Sequence, residues 1–334
     1  MAEISLFEPE VLRGVVEKFT APENLTLLSS LPTTPYPYPS AVWDVIRGGR
    51  QVAKPNVPNS EAHVVAPLGR AQQSAAFIYL REKKVFSPTT LHWVRSPGEI
   101  ARANAEAAVL REVNDLNIRF DNFLEYICWR ALTGTLTLDY PDVQASIDYG
   151  IANSHKPSAG TAWASATVAQ IMDDIRAWKR LIARDGRVPA TDAYANEKTI
   201  GRILNAFATI GSGALGPEFL SDRMKEEFYK SGTMPGFMGL NWHTVEAVYD
   251  TDNDVQTLFV PDDTIHVVNL TAGRPMEIME GPTADDEAPQ GHTGKFSKTW
   301  KEKDPSARQY LLEWNVLPVI TRVEQFVYVA DVSP

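Results

Sequence analysis

Residues 96–134, SPGEIARANAEAAVLREVNDLNIRFDNFLEYICWRALTG, carry both ends of one helix. Ser96 and Glu99 make a capping-box pair, Pro97 takes the first helical position where its missing N–H costs nothing, and Gly134 supplies the left-handed stop. Between them apolar residues recur in steps of three or four: Ile100, Ala103, Ala107, Leu110, Val113, Leu116, Phe120, Phe123, Ile127 and Ala131. The opposite face alternates in sign at a spacing of four, with Arg102 and Glu106, then Arg111, Asp115 and Arg119. At ~1.5 Å per residue this helix is about 50 Å long. It is rich in alanine and aromatics and has no sustained heptad, so it reads as a strut along a sheet or subunit face rather than a coiled coil.

On the N-terminal side, Pro9 to Phe19 has helical period, and LPTTPYPYPS (31–40) is too rich in proline for helix or central strand and should run extended as an arm. From Trp43 to Trp93 the chain is turn-rich with strand-like pieces, HVVAP, AAFIYLR and TTLHWVR, as expected of a long two-stranded excursion that needs a neighbour to lie on. On the C-terminal side, TLTLDYPDVQASIDYG (135–150) is a hairpin turning at Tyr140-Pro141-Asp142. A change of texture at Gly150 leads to a helix over Ala166–Arg184 that stops at Gly186, and to two more over Asn196–Ile210 and Pro217–Lys230. TVEAVYD, QTLFVP, TIHVVNL, NVLPVI and EQFVYVADV then read as strands. The order, ribbon, long helix, hairpin, helices and strands, is an α+β layout with two subdomains.

With 334 residues, 44% of them hydrophobic, the chain can build a sizeable core. Its single cysteine, Cys128, falls inside the long helix and reads as a small buried hydrophobe, with no disulfide framework or cysteine metal site. Glu3, Glu8 and Glu10 stand where a secretory signal needs a basic start and an apolar run, and no apolar run approaches ~20 residues. A net charge of −10 argues against a nucleic-acid clamp. Between Ala41 and Arg95, however, eight basic residues face three acidic ones, 8 − 3 = +5, which leaves −15 for the rest of the chain. A basic segment on an acidic body suits docking on another copy of the same chain, with Arg70, Arg81, Lys83 and Lys84 as its leading candidates.

Motifs that would carry chemistry fail on context. Gly211 to Gly216 spells GxGxxG, but helical rather than strand period precedes it and Gly236 stands where the acidic ribose ligand belongs. Asp250, Asp252 and Asp254 imitate a calcium loop, yet Val255 replaces the required glycine and Pro261 the bidentate glutamate, so a polar hairpin turn is the reading. The six histidines lack metal-ligand spacing, and no carboxylate pair stands out for acid/base work. No catalytic, cofactor-binding or metal-binding residue is therefore assigned.

The order of features resembles the major capsid proteins of tailed bacteriophages, specifically the family of the phage lambda capsid protein E. The residues that carry it are the proline-rich lead, the long helix ending in Thr133-Gly134, and the hairpin closing in Ile147-Asp148-Tyr149-Gly150. Trp163 with Asp173-Asp174-Ile175 to Trp178, then Phe259-Val260-Pro261-Asp262-Asp263, Trp300, Asp304-Pro305, Leu317-Pro318-Val319 and Phe326-Val327 continue it. The resemblance implies the Hong Kong 97 type fold. It places an N-terminal arm at 1–40, an extended E-loop at 41–95, and a P-domain at 96–149 with its spine helix at 96–132. An A-domain follows at 150–303, and return strands to the P-domain at 304–334. Some relatives in this fold crosslink through a loop lysine; nothing here indicates that chemistry for Lys54, Lys83 or Lys84.

The function this implies is a shell built from hexamers and pentamers that encloses double-stranded DNA without sequence-specific binding. The implied partners are further copies of the chain, a scaffolding protein, a portal protein and a decoration protein, in the host cytoplasm during assembly and the virion afterwards. The helix face of Arg102, Glu106, Arg111, Asp115 and Arg119 joins the ribbon cations as candidate inter-subunit contacts. An encapsulin-type compartment sharing the fold is the alternative, and a nucleotide-dependent enzyme using Gly211 to Gly216 is a distant third.

Overall fold

The computed structural model describes residues 25–47, 69–87, 99–140, 143–209, 222–250, 255–304 and 306–333, with isolated positions between 52 and 61; at 99–106, 207–209, 222–225 and 235 the description is of backbone alone. The expected helix over Pro9–Phe19, the pieces HVVAP and TTLHWVR, the Ser96 cap, Gly211 to Gly216, Asp252 and Asp254 all lie outside the described residues.

The long helix is continuous from Glu99 to Leu132, 34 residues, and Gly134 follows it with φ +94°. Thr26–Ser30 forms a short helix, α1, so the long one is α2. Its buried line runs through Val109, Val113, Leu116, Phe120, Leu124, Ile127, Cys128, Ala131 and Leu132. This corrects the expected stripe at three positions, since Ala107 is exposed and Leu110 and Phe123 are half-buried. The stripe also includes polar residues, Asn117, Asp121 and Glu125, each one turn apart and all buried.

α2 packs on a five-stranded sheet whose central member, β15 (Ser306–Ile320), is buried along nearly its whole length. Residues 306–313 of β15 pair antiparallel with β14 (Phe296–Lys303), and residues 316–320 pair with β13 (Met276–Glu280). Residues 308–316 also pair with β4 (Ile78–Phe86), which must therefore lie on the opposite edge. β1 (Thr33–Pro35) completes the sheet by pairing parallel to β13, so the proline-rich lead is extended as expected. Pro318 sits inside β15 without breaking it. Its partner Ile278 donates its N–H to Pro32 instead, β4 pairing has ended at Val316, and the Pro318 carbonyl accepts the Tyr149 hydroxyl at 2.7 Å.

The ribbon consists of β2 (Ser40–Ile46) and β3 (Arg70–Ala76), paired antiparallel in full register. Its base lies on the chain's own core: Ala41, Trp43 and Val45 are buried, with the Trp43 ring 6.3 Å from that of Tyr149. The hairpin after α2 is β5 (Thr135–Tyr140) with β6 (Val143–Asp148), paired antiparallel from Thr135 with Asp148 to Tyr140 with Val143.

A second core cluster is built on a mixed sheet of β7 (Asp192–Ala195), β8 (Thr233–Phe237), β9 (Leu240–Thr244), β12 (Ile265–Val268) and β16 (Phe326–Val329), in the order β16-β12-β7-β9-β8. Three helices belong to this region: α3 (Val168–Asp185), α4 (Glu197–Thr209) and α5 (Asp222–Ser231). α3 opens on a Thr167/Gln170 capping box, and the Asn196 side chain accepts the Thr199 N–H at the start of α4. The segment expected as one strand, TVEAVYD, is divided between β9 and β10 (Val248–Asp250), and β10 pairs with β11 (Gln256–Leu258) as a separate two-stranded ribbon.

The sheet membership of three strands departs from the expected partition. β13 and β14 fall before residue 304 yet belong to the first sheet, while β16, expected among the return strands, hydrogen-bonds to β12 in the second. A long central strand needs partners on both edges, and the nearest in sequence is β14, one tight hairpin away. FSKTWKEK carries no clean apolar alternation, because an exposed edge strand is protected by lysine rather than patterned for burial.

Candidate assembly surfaces

Alternation in β4 decides which of its charges reach solvent. Ile78 and Phe86 are buried, and Glu82 and Lys84 point the same way, toward α2. Lys84 Nζ meets Glu112 at 2.8 Å and Asp115 at 2.9 Å, and these hydrogen bonds hold the ammonium pKa above its ordinary value. Arg119 grips Glu82 with two parallel bonds of 2.9 and 3.0 Å, which likewise favour its charged form. On the other face of β4, Arg81 reaches Asp285 at 3.6 Å and Glu313 at 3.9 Å, and the Tyr79 hydroxyl donates to Glu313 at 2.8 Å. Burial together with that bond pushes the Tyr79 pKa up to about 12.

The candidate contacts therefore divide. Arg81, Lys84, Asp115 and Arg119 are engaged within the chain, as is Arg70 with Asp44 at 3.5 Å. Lys83 and Arg111 are exposed and make no ion pair among the described residues. Arg102 and Glu106 are placed on α2 by backbone only.

Three polar residues on the inner face of α2 were missed. Glu125 is the N-terminal anchor of α1: it accepts the Leu27 and Leu28 N–H groups at 3.0 and 2.8 Å, and the Trp129 indole N–H at 2.8 Å. Burial raises its pKa against those bonds. One turn earlier, Asp121 meets Lys295 Nζ at 2.6 Å, and Lys295 lies 4.8 Å over the Trp314 ring. Desolvation pushes Asp121 up and Lys295 down, while their mutual attraction opposes both shifts. Asn117 donates to the Val113 carbonyl at 3.1 Å. The signal available in the sequence was the spacing: 117, 121 and 125 share a face with 113, 120, 124 and 128, so polar side chains there had to be buried.

Among the described residues the cluster Asp285, Asp286 and Glu287 has the spacing to hold a cation, but Lys298 Nζ already lies against Asp285 at 2.5 Å and Glu287 at 3.4 Å. The Lys298 ammonium thus already partners two of these three carboxylates.

The sequence profile of the family described as phage major capsid protein E matches residues 12–330. Comparison with curated protein sequences returns no match. Among solved structures, one described as the capsid protein of a prophage in E. coli CFT073 superposes with a TM-score of 0.63 at 14% identity, covering 95% of this chain and 96% of that one. A phage-related protein from Bordetella bronchiseptica RB50 gives 0.55 at 11%, covering 97% of each chain. The SrpI encapsulin of Synechococcus elongatus PCC 7942 gives 0.52 at 9%, covering 95% and 93%. At such identities these likenesses establish the fold.

Proposed function

The chain belongs to the phage major capsid protein E family and is a structural protein of a bacteriophage shell, and from that premise we propose how its copies build that shell. Hexamers and pentamers close into an icosahedral head around double-stranded DNA, in the host cytoplasm and with a scaffolding and a portal protein as assembly partners. A decoration protein is a further partner of the finished shell. The role is architectural, and no turnover chemistry is assigned to any residue.

The observation that carries the reading is the division of charges along β4 and α2. Cations that would be expected to reach across to another copy are engaged internally, where they hold the strand on the helix; Lys83 and Arg111 remain exposed. We assign the inter-subunit electrostatic contact to these two residues, each facing acidic surface on a neighbour, as a chain of net charge −10 provides. Modest contacts suffice because they are repeated over the whole lattice.

An encapsulin shares the fold, so the fold alone does not separate a genome container from an enzyme container. The family match favours the phage shell. Negative-stain electron microscopy of the expressed chain, alone and with the proteins encoded beside it, tests the proposal. Closed shells that take up DNA support it; shells that enclose only a cargo enzyme, or a chain that stays monomeric with its partners present, overturn it.

A further inference from the structure

The hairpin β5–β6 packs on the main core by one face and reaches solvent at its far end. Leu136 and Leu138 are buried at its base, whereas at its far end the cross-strand pair Tyr140 and Val143 is 39% and 45% exposed. The segment from 135 to 148 holds Asp139, Asp142 and Asp148 and no lysine or arginine. Its far end therefore combines acidic sequence with one exposed aromatic and one exposed branched aliphatic side chain. Tyrosine at the centre of a contact, rimmed by charge, is the usual composition of an energetic anchor.

A surface of opposite character lies on the other subdomain. A cleft of about 470 Å³ runs along α3, lined by Pro157, Trp178, Leu181, Arg180, Arg184 and Asp174. Its floor is firm: Trp178 is buried and stacked on Trp163 at 5.5 Å, and the Trp163 indole donates to Asp174 at 3.0 Å. That bond engages the one carboxylate in the lining. Arg176, Arg180 and Arg184 follow one another at every turn of α3 on its exposed side. Arg176 is paired with Asp173 and Arg184 with Asp185, while Arg180 has no partner among the described residues.

We propose that the exposed end pair of the β5–β6 hairpin of one copy, Tyr140 and Val143, packs at the α3 cleft of a neighbouring copy against Trp178 and Leu181, with Asp139 facing Arg180. The contact rests on the reading of the chain as a shell subunit and names one of its inter-subunit joints. It is heterologous: hairpin end and cleft are different surfaces of the same chain, so each copy offers one of each, and the contact generates a ring or lattice rather than a closed pair. Burying the Arg180 side chain against Asp139 gives a cation without a partner among the described residues its counter-charge, and Tyr140 and Val143 cover the apolar part of the cleft.

Exchange of charge across the joint tests it. Asp139→Arg alone and Arg180→Asp alone each lower the yield of sedimenting shells on the order of tenfold, and the two together restore it. Both side chains are exposed, so each variant subunit keeps its thermal midpoint, which separates an assembly defect from misfolding. A second probe is the pair Val143→Cys and Ala177→Cys, which gives a ladder of disulfide-linked oligomers on non-reducing gels of oxidised shells; the native Cys128 is buried and silent. Single variants that assemble at the wild-type yield overturn the seating, as does a double charge variant no better than either single. In those cases wild-type shells still stand, so the shell reading survives its failure. A wild-type chain that forms no shells removes the shell reading itself, and this joint with it.

Discussion

Lys295 Nζ and Asp121 Oδ1 lie 2.6 Å apart, with side chains only 15% and 5% exposed, and this pair joins the middle of the long helix to the segment just before β14. A buried pair of this kind contributes little relative to a well-packed apolar pair, but removal of one partner leaves the other charge uncompensated. Asp121→Ala and Lys295→Ala are therefore expected to destabilise the subunit by about 3–5 kcal/mol each, whereas the apolar double variant Asp121→Leu/Lys295→Met loses much less. Urea denaturation of the four proteins measures this. A loss in the double equal to the sum of the two single losses would show that the two charges act independently.

His266 sits between the rings of Trp129 at 5.1 Å and Tyr328 at 5.0 Å, fully buried, and burial lowers its pKa to about 3. The sign follows from the imidazole being a base held neutral. Below ~6.5 the unfolded chain binds a proton that the folded chain refuses, so stability falls with decreasing pH until the folded pKa is reached. Between pH 7 and pH 5 this site removes about 2 kcal/mol. Comparing wild type with His266→Phe by denaturation at the two pH values isolates it. The variant's loss over that interval is expected to be smaller by that amount, and parallel curves would refute the assignment.

At the end of α3 a small residue is required for space, not for conformation. Gly186 has φ −83°, which any residue adopts, but a Cβ there would lie 2.7 Å from the Glu324 carbonyl and 3.0 Å from that of Ile182. The left-handed residue is its neighbour Arg187, at φ +59°. Gly186→Ala is expected to cost about 1–3 kcal/mol through backbone displacement, while Arg187→Gly is neutral or stabilising by up to about 1 kcal/mol. Thermal unfolding of both variants checks the pair. A reversed order would mean that the turn, not the close approach of the 323–325 segment, constrains this site.

The parts legible in the sequence were those whose signal is local. α2 announces itself through an end signal at Gly134 and a regular stripe, and the hairpin through alternation on either side of the turn signal Tyr140-Pro141-Asp142. The stripe read from apolar residues alone is displaced, because Asp121 and Glu125 are buried with partners from positions 295 and 27–28, which no local pattern contains. β14 was invisible for the same reason. Its register is imposed by β15, and its lysines describe an edge rather than a buried face. Charge counting marks a basic segment but cannot tell Lys83 from Lys84; a strand's alternation sends one to solvent and the other to Glu112 and Asp115.

That last distinction makes a prediction about assembly. Lys83 and Arg111 are exposed and unpaired among the described residues, so Lys83→Glu and Arg111→Glu change the stability of the isolated subunit by no more than about 0.5 kcal/mol. Lys84→Glu places like charge against two carboxylates on α2 and costs the subunit about 1 kcal/mol or somewhat more, because Lys84 is only 30% exposed. In shell formation the order inverts. The Lys83→Glu/Arg111→Glu double variant is expected to give markedly fewer particles by electron microscopy at low salt, and wild-type shells to weaken as salt is raised, since exposed contacts between copies are screened over about 8–10 Å. Lys84→Glu shells are expected to form once the subunit is folded. Normal particle yield from the double variant would remove Lys83 and Arg111 from the interface, leaving β4 with an internal role only.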